Sequence, residues 1–202
     1  MKHGRLPWFE PHELSAEQRA IYDDIAGGPR AQGPQAFALT DGAGRLEGPF
    51  NAMLVEPAIG GALQALGSAI RYRSPLTARA REIAILEVAA LRRSAFEWYA
   101  HERVGRLAGL TDTELTALAS GAAAASFDAT ETIVRAVVRA LIVERDLGDA
   151  LYAEAEAALG TPVVAYLIAL AGYYDLLSLQ LRAWRTPLPA GAQAPFAPDA
   201  EG

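Results

Sequence analysis

Leu76-Thr77-Ala78-Arg79-Ala80-Arg81-Glu82-Ile83-Ala84-Ile85-Leu86-Glu87-Val88-Ala89-Ala90 is the stretch on which the fold turns. Ser74-Pro75 breaks the chain before it, and the run predicts a helix reaching Leu91 with almost no polar face. A helix of that kind is buried, either in a core or against another subunit. Glu82 is then the anomaly, because its i+3, i+4 and i+7 neighbours are Ile85, Leu86 and Ala89. A carboxylate left alone among them costs several kcal/mol. Either Arg79 or Arg81 forms a buried ion pair with it, or it serves chemistry.

Twelve residues beyond Glu82, Ser94-Ala95-Phe96-Glu97-Trp98-Tyr99-Ala100-His101 opens a second helix, which stops at Gly109. Helical spacing puts Glu97, His101, Val104 and Ala108 on one stripe, so a carboxylate and an imidazole share the side that packs. Ser94 and Glu97 also fit a capping box, in which the glutamate merely returns to the serine amide. Two carboxylates beside an imidazole in apolar surroundings are a means of holding a proton donor and acceptor near neutral pH. Glu82, Glu97 and His101 are thus the candidate catalytic residues. The same three suit a divalent ion, but no fourth ligand or supporting pattern accompanies them, so no metal is expected.

Outward from these two helices the chain reads as helical throughout. Residues 1 to 12 look like an arm, and Ser15 to Gln18 form a capping box opening a short helix that ends at Gly27-Gly28-Pro29. Arg30 to Pro49 is a glycine- and proline-bearing loop of a length that is usually functional or mobile. Pro57 starts a helix to about Tyr72. Leu110-Thr111-Asp112-Thr113-Glu114-Leu115 carries a capping box with a hydrophobic staple, and Asp128 to Glu131 repeats the box before a helix ended by Gly148. Helices from Asp149 to Leu159 and from Thr161 to about Arg182 follow, then a proline-rich tail from Pro187 expected to be extended or flexible. No stretch alternates as a strand does, so the expectation is an all-α bundle of about eight helices in a single domain over residues 1–202.

Five further residues are candidate substrate contacts. Phe50 and Asn51 follow the loop, and the Asn51 amide suits either a pocket or a helix cap. Tyr72 and Arg73 end their helix, where an arginine binds an anion or answers the helix dipole. Trp98 stands beside Glu97, as a substrate platform or as core.

Composition removes several classes. A net charge of −6 with no Lys/Arg block argues against nucleic acid. The absence of cysteine excludes disulfides, thiolate metal sites and thiol redox catalysis. Without a signal-peptide pattern at the N-terminus, and with apolar runs read as too short or interrupted to span a bilayer, the expectation is a cytoplasmic protein without a membrane partner.

The run from Leu76 to Ala90, with Phe96-Glu97-Trp98-Tyr99-Ala100-His101 and Ala108-Gly109-Leu110-Thr111-Asp112-Thr113-Glu114, closely resembles the carboxymuconolactone decarboxylase family, within the AhpD-like superfamily. Pro49-Phe50-Asn51 and Gly172-Tyr173-Tyr174-Asp175-Leu176-Leu177 look like its longer members. In the peroxidase branch, two cysteines three apart precede the histidine by seven and four residues, and a glutamate on the preceding helix relays protons. Those cysteine places hold Ser94 and Glu97 here, while His101 and Glu82 are retained. The resemblance therefore implies the cysteine-free branch and not a thiol peroxidase. It implies cofactor-free decarboxylation of a lactone or β-keto-type acid, with His101 as proton donor or acceptor, Glu97 its partner and Glu82 a relay or orienting group. Isomerisation, dehydration or cyclisation by the same set, or a non-catalytic oligomeric binding protein, remain the alternatives. Assembly as a homo-oligomer, a trimer or hexamer, is implied as well, with a small organic acid or lactone as the substrate.

Overall fold

The computed structural model describes residues 1–32, 37–193 and 195–196. Among them are nine α-helices and one two-stranded ribbon, so the all-α expectation holds. The chain gathers into two compact units, Met1–Arg73 with Leu179–Gln193, and Ser74–Ser178 with Pro195 and Phe196.

The first unit begins with β1 (Lys2–His3) and β2 (Leu6–Pro7), an antiparallel ribbon where the sequence suggested only an irregular arm. The turn between them needs Gly4: its φ is +66°, and a Cβ there would collide with the Trp184 and Arg185 carbonyls. α1 (Ala16–Ala26) starts from the expected Ser15/Gln18 capping box. Of the loop before Pro49, residues 37–48 are ordered by Asp41, whose carboxylate accepts from the Ala43 and Arg45 amides and pairs with the Arg45 guanidinium. Thr40 and Leu46 bridge across this turn. Residues 33–36 of the loop lie outside the described residues. A short α2 (Pro49–Ala52) and then α3 (Pro57–Tyr72) follow, the latter capped by Glu56.

The second unit is built on α4 (Ala78–Leu91), which packs against α5 (Ala95–Leu107), α6 (Asp112–Ser120) and α7 (Ala129–Val143). Neighbours on so many sides explain its missing polar face: Ala80 and every residue from Glu82 to Ala89 are buried. Ile83, Leu86, Ala89, Trp98, Leu110, Leu115 and Leu118 form one apolar cluster, and Phe196 from the expected flexible tail packs on it, edge-on to Trp98 at 5.4 Å. Residues 197–202 of that tail lie outside the described residues. α7 stops at Val143 rather than near Gly148, because Arg145 takes φ +60°. α8 (Asp149–Leu159) packs on α7, and α9 (Thr161–Trp184) supplies residues to both units.

α9 corrects one expectation. At 24 residues it is long and apolar enough, by length and composition, to cross a membrane. A core helix meets the same test, and Val164, Leu167, Leu170, Ala171, Tyr173, Tyr174 and Leu177 are buried along one side of it.

Candidate functional site

α4 and α5 are joined by a turn of three residues that sets the site. Arg92 ends α4, Arg93 takes the left-handed conformation at φ 50°, and the Ser94 amide donates back to Ala89 O at 2.9 Å. This is a Schellman ending with arginine where glycine is usual. α5 then starts at once, folded back along α4. Its first two turns bring Glu97 and His101 to the level of Glu82.

The three residues predicted to meet do so. His101 Nδ1 lies 2.6 Å from Glu82 Oε2, and His101 Nε2 lies 3.6 Å from Glu97 Oε2. The side chains of Glu82, Glu97 and His101 are 0%, 4% and 5% exposed. The short contact fixes the ring through Nδ1 and leaves Nε2 on the Glu97 side. Glu82 uses its other oxygen, Oε1, on Arg81, with Nε and Nη2 each at 3.2 Å. The imidazole is held edge-on against Tyr174 of α9, centroids 5.1 Å apart, and Tyr174 in turn packs edge-on against Tyr173. A ring fixed by a carboxylate at one end and an aromatic wall at its side has a defined orientation, as a proton-transfer imidazole requires.

Each competing reading of these residues meets a specific contact. Ser94 does not cap α5: its hydroxyl is buried with no hydrogen-bond partner among the described residues, and the capping box does not form. Glu82 does have an ion pair, with Arg81; Arg79 is instead taken by Glu114 and Glu131. The two carboxylates sit at opposite nitrogens of one ring, and among the described residues no three such side chains converge as metal ligands. Arg81 and Tyr174 were not singled out as site residues. The sequence offers Arg81 only as an ion-pair partner and Tyr174 only within the run from Gly172 to Leu177, and it is the packing of α9 that brings the tyrosine to the ring.

The expected substrate contacts are placed differently. Trp98 lies in the apolar cluster, 4% exposed, with its indole N–H donated to Glu102 at 3.1 Å, so it is a core residue. Asn51 is fully buried in the first unit and spends its amide on the arm: Nδ2 donates to Pro7 O, and Oδ1 accepts from the Phe9 amide. Phe50 is buried with the Arg30 guanidinium 5.1 Å from its ring centroid. Tyr72 is 45% exposed and Arg73 caps α3 through its amide.

A second titratable pair had no signal in the sequence. His3, 2% exposed, accepts the Gly48 amide through Nε2 at 3.2 Å, with Glu47 Oε2 3.8 Å away and Trp8 packed on its ring. Burial holds the His3 imidazole below its ordinary pKa and pushes the Glu47 carboxyl up. An imidazole that accepts an amide N–H is neutral, so this pair fastens the arm to the loop.

Fold and site together define an all-helical protein carrying a buried carboxylate–imidazole–carboxylate cluster between two antiparallel helices. Residues 57–140, which contain all three site residues, match the carboxymuconolactone decarboxylase family. Its fold is that of a solved protein from Ralstonia eutropha JMP134, described as an alkylhydroperoxidase AhpD core and uncharacterized peroxidase-related protein, with a TM-score of 0.73. That likeness covers 94% of each chain at 14% identity. No functionally curated protein matches this chain in sequence.

Proposed function

We propose that Glu82, His101 and Glu97 form a cofactor-independent acid–base site that decarboxylates a small lactone or β-keto-type acid. The observation that carries the reading is the 2.6 Å contact from His101 Nδ1 to Glu82, which aims Nε2 toward Glu97. In the reaction the bond to the departing carboxylate breaks, CO2 leaves, and the electron pair passes into the neighbouring carbonyl as an enolate. The imidazolium then delivers its Nε2 proton to the carbanion carbon. A proton taken up from water is relayed through the Glu97 carboxyl back to Nε2, and Glu82, its charge balanced by Arg81, keeps the ring oriented. With no cysteine in the chain, the thiol cycle of a peroxidase is not available.

The test is CO2 release from a panel of β-keto acids and carboxylated lactones. His101→Ala and Glu82→Gln are expected to slow release by about a hundredfold or more while the helical signal is kept. Wild-type turnover in a folded His101→Ala protein overturns the proposal. A second reading, isomerisation by proton abstraction beside a carbonyl, is favoured by the presence of a carboxylate at both ends of the ring, which lets it work in either direction. Solvent deuterium entering the substrate without CO2 release selects that reading.

The active form is proposed to be a homo-oligomer. Ala165, Ile168, Ala169, Gly172 and Leu176 are exposed along one side of α9, and three of them are small enough to let a second copy of the helix approach closely. Sedimentation should show a wild-type assembly that Gly172→Leu breaks; a monomeric wild type refutes it.

A further inference from the structure

α7 turns Thr132, Arg135, Ala136 and Arg139 to one side, at i, i+3, i+4 and i+7, toward the segment from Gly121 to Phe127. Between them lies a cavity of about 310 Å³, at the small end of ligand-sized pockets, and none of its lining residues belongs to the Glu82, Glu97 and His101 cluster. Its floor is apolar, formed by Ala123, Ala124, Ala136 and the Phe127 ring.

The polar side of this cavity is built. Glu87, 1% exposed, receives Arg135 Nε at 2.7 Å on one oxygen and Arg139 Nη1 at 2.8 Å on the other. Arg135 also donates through Nη1 to Ala122 O at 2.6 Å. Two guanidiniums against one carboxylate leave a positive charge in a chain whose net charge is −6. Arg139 is the group with donors to spare. Its side chain is 48% exposed, and its Nε and Nη2 donate to no protein acceptor among the described residues. Those two N–H groups lie on one edge of the guanidinium, the arrangement that takes a carboxylate bidentately. Glu87 meanwhile holds the guanidinium from its other arm, so little side-chain freedom is lost on binding.

We propose that this cavity is a binding site for a small monocarboxylate with an apolar body, the carboxylate on Arg139 and the body on Phe127 and the alanine floor. Bulk phosphate lacks the body, and a neutral molecule of the same shape lacks the charge, so both are weak ligands. The site stands apart from the acid–base cluster and does not depend on the reaction proposed for it.

The probe is 3-phenylpropanoate, titrated calorimetrically into the full chain, with 3-phenylpropanamide and inorganic phosphate as comparisons. The acid is expected to bind at least about tenfold tighter than either, and Arg139→Gln is expected to weaken it by about tenfold or more. Arg139→Gln leaves Glu87 paired with Arg135. Ala136→Leu, which fills the cavity and keeps both guanidiniums, is expected to abolish binding. Equal affinity for acid and amide, competition by equimolar phosphate, wild-type affinity in a folded variant of either kind, or no binding by the wild type overturns the proposal.

Discussion

Acidification should weaken the second unit through a single carboxylate, Glu114. Its side chain is 4% exposed and takes Arg79 Nη2 at 2.5 Å, the Thr111 amide at 2.8 Å and the Ser126 hydroxyl at 2.7 Å. The Arg79 guanidinium foremost, with these further donors, holds the Glu114 carboxyl down at about 2 from an ordinary 4.5. A carboxylate depressed in the folded state contributes stability that is complete above its unfolded pKa and is lost as pH falls toward its folded one. The full depression corresponds to about 3 kcal/mol at neutral pH, of which about 2 kcal/mol is gone by about pH 3. Glu114→Gln cannot titrate, so its deficit relative to wild type should shrink by that amount between about pH 7 and pH 3. In urea unfolding followed by circular dichroism, this amounts to a change of on the order of 1 M in the separation of the two midpoints. A separation that stays the same at both pH values refutes the reasoning, because the variant would then be losing only shape.

Two further outcomes follow from buried contacts. His3, held below its ordinary pKa by burial, must stay neutral to accept the Gly48 amide, so its contribution is complete above about 6.5 and is lost as pH falls below that. Glu47 beside it, pushed up by burial, works in the opposite sense, its buried neutral form being gained as pH falls. Hydrogen exchange at Gly48, corrected for its intrinsic pH dependence, should therefore accelerate between about pH 7 and pH 5, and unchanged protection refutes this. Gly60→Ala places a Cβ far inside contact with Met53 O, a backbone atom that has no side-chain freedom with which to yield. The expected loss is about 3 kcal/mol or more in thermal or urea unfolding, and a loss under about 1 kcal/mol contradicts the packing.

Local chemistry made most of the fold legible. The Ser15/Gln18, Thr111/Glu114 and Asp128/Glu131 capping boxes all form, and the helices they open start where the sequence puts them. Pro57 and the 3.6-residue periodicity of the neighbouring runs do the same for α3. Contacts distant in sequence carried no such signal. The arm became a ribbon because Gly4 must pass the Trp184 and Arg185 carbonyls, and Asn51 became its anchor through partners more than forty residues away.

The candidate site shows why one motif gave two outcomes. Ser94/Glu97 has the same spacing as the three boxes that form, yet it does not close. In the others the residue four places beyond the Gln or Glu is Tyr22, Leu118 or Arg135, so no imidazole stands beside it. Ser94 leaves the left-handed turn at Arg93, and Glu97 lies on the stripe that His101 shares. The glutamates of two true boxes then complete the arrangement. Glu114 and Glu131, besides capping α6 and α7, both bind Arg79 in the first turn of α4. That pins α4 against α6 and α7 and removes Arg79 as a partner for Glu82. Arg81 therefore neutralises Glu82 from one oxygen and His101 takes the other. The geometry of the Glu82–His101–Glu97 cluster thus depends on capping residues that never touch it. Removing Glu114 or Glu131 should free Arg79 to compete for Glu82, and would disturb His101 through α4 rather than by any direct contact.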